Sequence, residues 1–167
     1  VLFRSAQKAI VKATKLGLIS GYSDGTYRPN GKMTRAEFMT ILAKYVEYNA
    51  QQERIKGIQI KEVEDSELYK KAKHWSAKYV VFLNRLNLGQ DGVGLTDSEM
   101  DTYIERCEVA ELCNKYLFRS PVYDDGKNDL PFTDVPRSHR LYGHIVEATR
   151  PSHNDFRLTE DSYEIWD

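Results

Sequence analysis

No apolar run in this 167-residue chain approaches the roughly 18 residues of a membrane-spanning helix, and no membrane insertion is expected. An excess of one charge is missing too. Lys and Arg number 24 against 25 Asp and Glu, and the formal charge of −1 argues against a bulk nucleic-acid binder. Cysteine is scarce. Cys107 and Cys113 lie six apart in a helical pattern, which puts them on different faces and about 9 Å apart along the axis, too far to bridge each other. Cys113 reads as a buried thiol, and a metal or redox role lacks partners at ligand spacing. Catalytic signatures are absent as well: no His/Glu metal motif, no G-x-S-x-G, no P-loop. The histidines at 74, 139, 144 and 153 are scattered, and His139 and His144 miss the i, i+4 spacing that shares a helix face. Asp124-Asp125 sit in a polar linker. No catalytic residue, metal or cofactor is expected. The chain opens on Val1 rather than Met and stops at Asp167, so a piece of a larger protein with further domains is expected, and a missing leader carries no information.

What is present is a globular apolar fraction of 41% and internal repetition. Thr34–Val46 (TRAEFMTILAKYV) aligns without a gap on Glu105–Leu117 (ERCEVAELCNKYL). Arg35 meets Arg106, Glu37 meets Glu108, and Lys44-Tyr45 meets Lys115-Tyr116. Phe38, Ile41, Leu42, Tyr45 and Val46 align with Val109, Leu112, Cys113, Tyr116 and Leu117, each set the buried stripe of a helix. A second kind of helix precedes these, at residues 6–16 and at 74–88, where Trp75, Tyr79, Phe82, Leu83 and Leu86 share a face. A third copy lies at Asp134–Thr149. The polar segments Asn49–Gly57 and Arg119–Pro131 read as linkers. Strand alternation is confined to Ile55–Val63. Thr96-Asp97-Ser98-Glu99 is a capping-box pattern that suits a short extra helix at 96–103. The fold class is mainly α, built from helix–loop–helix units with long loops.

The stretch GYSDGTYRPNGKMTRAE, residues 21–37, holds the most information. Thr34 and Glu37 make a capping box, with Met33 and Phe38 placed for a hydrophobic staple. Asp24-Gly25 and Asn30-Gly31 are turn signals, stiffened by Pro29 between them. Tyr22 and Tyr27 suit core packing better than stacking on a sugar ring. A calcium loop fails: with Gly31 at loop position 6 and Glu37 at 12, positions 1 and 3 become Thr26 and Arg28, which supply no carboxylate. Arg35, at the first helical position, opposes the helix dipole by roughly 0.3–1 kcal/mol. It is either solvated or paired with an acid such as Asp24, or it joins the free helix N–H groups in an anion site. The recurrence at Arg106 favours the anion site.

These motifs resemble the S-layer homology (SLH) domain. Its repeats open near F-x-D-V and H-W-A, continue through G-Y-x-D-G-T-F-x-P, and close with I-T-R-A-E ahead of a helix. The first repeat here has GYSDGTYRP and MTRAE, the second HWSAKY and IERCE, the third PFTDVPRSH and an IVEAT helix. The resemblance implies three repeats, 1–48, 58–118 and 131–167, in one pseudo-threefold bundle. It also implies a non-catalytic, extracellular module that anchors proteins on a bacterial cell wall by binding an acidic, often pyruvylated polysaccharide. Carried over, the ligand-binding residues are Asp24, Gly25, Thr26, Arg35, Trp75 and Arg106. The sequence departs from the pattern in places. Repeat one lacks the F-x-D-V…H-W opening. Repeat two keeps Asp91-Gly92 alone of its loop and has Glu105 for the capping Thr, next to Arg106 where it could pair. Repeat three has Arg140 for Trp and no T-R-A-E helix. These departures leave an alternative open: a degenerate SLH-like module that packs against another domain or protein without binding glycan.

Overall fold

The computed structural model describes residues 2–53, 59–86, 97–117, 119 and 132–149. Seven α-helices and a 3-10 turn account for their regular structure: α1 (Leu2–Lys15), α2 (Arg35–Gln52), the turn (Ile60–Val63), α3 (Glu67–Lys71), α4 (Ala77–Arg85), α5 (Asp97–Met100), α6 (Arg106–Tyr116) and α7 (Tyr142–Thr149). The fold is mainly helical, as the periodicity requires. The short extra helix is α5. Residues 59–63 are not the strand that Ile55–Val63 suggested, and its first four residues lie outside the described set. Ile60 and Val63, three apart, are both buried, and the Ile60 N–H donates to Glu47 Oε1 at 2.8 Å instead of to a neighbouring strand. Asp91-Gly92, the linker from 120 to 131 and the third repeat beyond Thr149 also lie outside the described residues.

Local chemistry sets the helix ends. α1 stops in a Schellman motif. The Leu18 N–H reaches Ala13 O at 3.0 Å and the Gly17 N–H reaches Thr14 O at 3.0 Å, with Gly17 at φ +71, a conformation that a side chain would strain. α4 starts at Ala77 rather than at 74. His74 folds back so that its Nδ1 accepts the Ser76 N–H at 3.3 Å and meets Ser76 Oγ at 2.7 Å. His139 does the same, accepting the Leu141 N–H at 3.2 Å ahead of α7, which begins at Tyr142 rather than at 134. The repeated histidine thus makes a turn before the helix instead of belonging to it.

Two compact units result, residues 1–103 and 104–167. In the first, α2 packs on α4, with α3 and the 3-10 turn against α4 and α5 against α2. Met39, Val63, Phe82 and Leu83 are the large side chains at its centre, each 2% exposed or less. In the second, α6 packs on α7 around Leu112, Tyr116, Leu141, Tyr142 and Val146. Packing therefore pairs the closing helix of one sequence repeat with the opening helix of the next.

The buried face of α2 differs from the expected stripe. Ala36, Met39, Leu42, Ala43 and Ala50 are buried, whereas Phe38, Ile41 and Val46 are half-buried and Tyr45 is exposed. The three alanines recur every seven residues and present a smooth face that another helix can approach closely. Apolar counting favours bulky residues and passes over them. Burial of Ala50 also carries α2 through residues 49–52, which had read as linker. In α6, Leu112 and Tyr116 are buried as expected, and burial pushes the Tyr116 phenol up to about 12. Cys113 is half-buried, less than its alignment with Leu42 implied. Both cysteines are free thiols, and burial raises the pKa of Cys113.

Candidate functional site

Thr34 starts α2 with the capping box. Its Oγ1 accepts the Glu37 N–H at 3.2 Å, and Glu37 Oε2 accepts the Thr34 N–H at 2.9 Å. The other Glu37 oxygen accepts the Tyr22 hydroxyl at 3.0 Å, which ties the preceding loop to the first helical turn and raises the Tyr22 pKa. Arg35 is the first helical residue. Its N–H donates to Thr102 O at 2.9 Å, and the Phe38 N–H donates to Thr34 O at 3.1 Å. The amides of Arg35, Glu37 and Phe38 thus already have acceptors within the chain. This departs from a helix start whose N–H groups await an anion, and it moves the candidate anion contact onto side chains.

The Arg35 guanidinium is positioned by a segment far away in sequence. Its Nη1 donates to Thr102 Oγ1 and, at 3.1 Å, to Tyr103 O. Thr34 and Tyr103 form an antiparallel bridge, which holds the two segments side by side. Thr102 is fixed in turn by its own hydroxyl, which donates to Glu99 O at 2.7 Å. Next to it, Asp101 Oδ1 lies 3.2 Å from His74 Nε2, and the other ring nitrogen accepts the Ser76 N–H. Lys32 Nζ stands 5.1 Å from the centre of the Tyr103 ring. Tyr103 and Trp75 are each 58% exposed, unusual for rings of this size on chain segments held so firmly.

The loop before Thr34 is a self-contained clasp. Asp24 Oδ1 accepts the Thr26 N–H at 2.9 Å and the Thr26 hydroxyl at 2.6 Å. Asp24 Oδ2 pairs with Arg28 Nη2 at 2.7 Å, and the Arg28 guanidinium lies 4.1 Å above the Tyr22 ring. The Thr26 bonds, followed by those of Arg28, hold the Asp24 carboxyl far below its ordinary range. Gly25, at φ +78, makes the reversal. Asp24, Gly25 and Thr26 therefore build the loop. Asp24 pairs with Arg28, not with Arg35. Tyr22 and Tyr27 were assigned to the core but are 39% and 40% exposed, because the loop packs on itself.

Of the six residues picked from sequence, Asp24, Gly25, Thr26 and Arg35 share one loop–helix element. Trp75 lies in the same unit, at the end of the His74–Asp101 link and outside α4, not on a helix face with Phe82. Arg106 belongs to the other unit, exposed at the first position of α6. Its neighbour Glu105 donates its N–H to Glu108 Oε2 at 2.8 Å, and its carboxylate faces Cys107 Sγ at 3.5 Å. Sequence reasoning missed Thr102, Tyr103 and Lys32. The first two are separated from Arg35 by 67 and 68 positions, and no local pattern points to them. Among the described residues no group of His, Cys, Asp and Glu could hold a metal ion, and no helix is long and apolar enough to cross a membrane.

Residues 5–39, which run through α1, the clasp and the start of α2, match the family model of the S-layer homology domain. The chain carries an S-layer homology domain. Two proteins of Acetivibrio thermocellus are similar to it. A cellulosome-anchoring protein is 30% identical over 161 residues, covering 94% of this chain and 32% of that protein. A cell surface glycoprotein 1 is 30% identical over 142 residues, covering 84% of this chain and 6% of that protein. The chain thus spans about a third of the length of the first and far less of the second. No solved structure matches it. The SLH match covers the segment in which the clasp and the first turn of α2 are joined through the Tyr22–Glu37 bond.

Proposed function

We propose that this SLH domain is a non-catalytic module that anchors a larger protein at the bacterial cell surface by binding an acidic secondary cell wall polysaccharide. The observation that carries the reading is the fixed guanidinium of Arg35, with Lys32 close by on the Tyr103 ring. Two cationic side chains on a rigid frame suit a carboxylate on a sugar, such as a pyruvate ketal, because the guanidinium fork matches the geometry of a carboxylate. The frame reduces the ordering cost of binding, since Arg35 is already held by Thr102 and Tyr103. Asp24, Gly25 and Thr26 shape the rim without contacting the acid themselves. Trp75 offers an exposed ring for a sugar face, and Arg106 offers a second, weaker cationic position on the other unit. The names of the two relatives, an anchoring protein and a surface glycoprotein, support the location outside the cell. The repeats at 1–48, 58–118 and 131–167 together make the module, and catalysis, where the parent protein has any, belongs to its other domains.

Calorimetric titration with purified pyruvylated cell wall polysaccharide tests the reading. Arg35→Ala is expected to weaken binding by about tenfold or more, the loss of one charge-assisted contact. Removing the ketal from the polysaccharide should weaken the wild type to a similar degree and leave Arg35→Ala nearly unchanged. A folded wild type that binds neither form would refute the anchoring function and leave a structural or protein-interaction role.

A further inference from the structure

Tyr103 is the least expected residue near Arg35. It is a large aromatic side chain, 58% exposed, at the end of a short segment held to the start of α2 by backbone contacts. Its carbonyl accepts from Arg35, its backbone bridges Thr34, and the preceding Thr102 hydroxyl bonds Glu99. Lys32 holds the ring from one side through a cation–π contact. A ring so placed does not complete the core, since Met100 is buried three residues earlier while Tyr103 is left in solvent. Nor is it an incidental surface tyrosine on a mobile tail: its main chain is a partner of the guanidinium assigned to the ligand's acid.

We propose that Tyr103 is a stacking platform for the pyranose ring next to the acidic group, so that the site recognises a sugar face and a negative charge together. This rests on the assignment of Arg35 to an acidic glycan. A pyranose presents axial C–H groups on one face, and these pack on an aromatic ring as apolar surface, while its hydroxyls stay in water at the rim. Lys32 adds charge complementarity on the same ring, favouring an acidic saccharide over a neutral one. The phenol hydroxyl is not required for stacking; the ring is. Tyr103 thus sets which sugar sits beside the acid, whereas Arg35 sets that an acid is present.

The test is calorimetry of the full chain with pyruvylated cell wall polysaccharide and with the same material after mild acid has removed the ketal. The variants are Tyr103→Phe, Tyr103→Ala and Arg35→Ala, each checked for helix content by circular dichroism. Tyr103→Phe is expected to bind within about twofold of wild type, and Tyr103→Ala about tenfold more weakly. The Tyr103→Ala loss should persist on the ketal-free polymer, where the Arg35→Ala loss should vanish. Alanine keeps the main-chain carbonyl that receives Arg35, so a fall in Tyr103→Ala reports the ring and not the frame. Wild-type affinity in Tyr103→Ala, with Arg35→Ala still impaired, overturns the stacking role alone. Wild-type affinity in Arg35→Ala, with Tyr103→Ala impaired, overturns the acid assignment and keeps the ring contact. No binding by the wild type overturns both.

Discussion

Arg28 shows how single residues in the clasp are matched to one another. It is not a glycine, yet its φ is +53, in the left-handed region that costs most side chains roughly 1 kcal/mol or more. Its guanidinium compensates by pairing with Asp24 and covering Tyr22. Because Asp24 is the acceptor for both Thr26 and Arg28, its protonation should loosen the loop. The sign follows from the direction of the shift: the folded pKa is depressed, so the stabilisation is complete above the ordinary value of 3.8 and disappears only as pH falls through the lower folded value. Carboxyl-detected NMR should place the Asp24 midpoint well below 3.8, and an unshifted midpoint would show that the clasp is open in solution. The same reasoning separates the two arginines: Arg28 completes the loop, while Arg35 extends from the helix start toward Thr102 and Tyr103. Sequence pattern marked Arg35 correctly as the residue with a dipole penalty to explain, but could not reveal that the adjacent amides already had acceptors.

Among the helices, the caps were legible and the faces less so. Thr34 with Glu37 acts within a few residues, as does Gly17 after α1, so neighbours in the chain are enough to specify them. Sequence reasoning missed the Gly17 stop although its signal was local, and Thr96 of the 96–99 box lies outside the described residues. The face of α2 depends on what packs against it. Ala36, Ala43 and Ala50 are buried on a helix packed by α4, α5 and the 3-10 turn, and a hydrophobic count could not know that small residues would face inward. Ala43, fully buried, tests this: Ala43→Leu should destabilise the protein by about 1–3 kcal/mol through overpacking, measured by urea denaturation. If Phe38 and Ile41 formed the main contact instead, the same change would be nearly neutral. His74 and His139 give the corresponding lesson at helix starts. Their alignment was visible, but as the beginning of a helix, whereas each ring folds onto the backbone two residues ahead and delays the helix.

For the whole molecule, the sequence repeats and the packed units are out of step. The second repeat contributes α4 to the unit of residues 1–103 and α6 to that of 104–167. The second unit is expected to carry its own acid-sensitive group. His144 is partly buried in the second, where Asn114 Nδ2 bonds its main-chain oxygen at 2.9 Å, and Glu111 and Lys115 are the charged groups acting on its ring. Burial lowers its pKa below 6.5, with Lys115 acting in the same direction and Glu111 against it. A histidine with a lowered folded pKa contributes stability that is complete above 6.5 and is lost as pH falls through the folded value. Methyl NMR during thermal unfolding should therefore show the Val146 signals of α7 losing stability as pH falls below 6.5. Parallel loss of the Ile60 and Val63 signals would mean that His144 is not the controlling group.

The sequence alone determined what depends on residues within about one helical turn of each other: helix caps, the Schellman stop, the Asp24–Thr26 turn and the mainly helical class. It also carried the SLH resemblance, since a motif is a string of neighbours. Only the tertiary structure decided which faces are buried, that Thr102 takes the Arg35 amide, and that Thr102 and Tyr103 meet the Arg35 side chain. Those outcomes require closing loops of more than sixty residues and burying specific surfaces together, so they follow from the packing of α2 with α4 and α5 rather than from any local pattern.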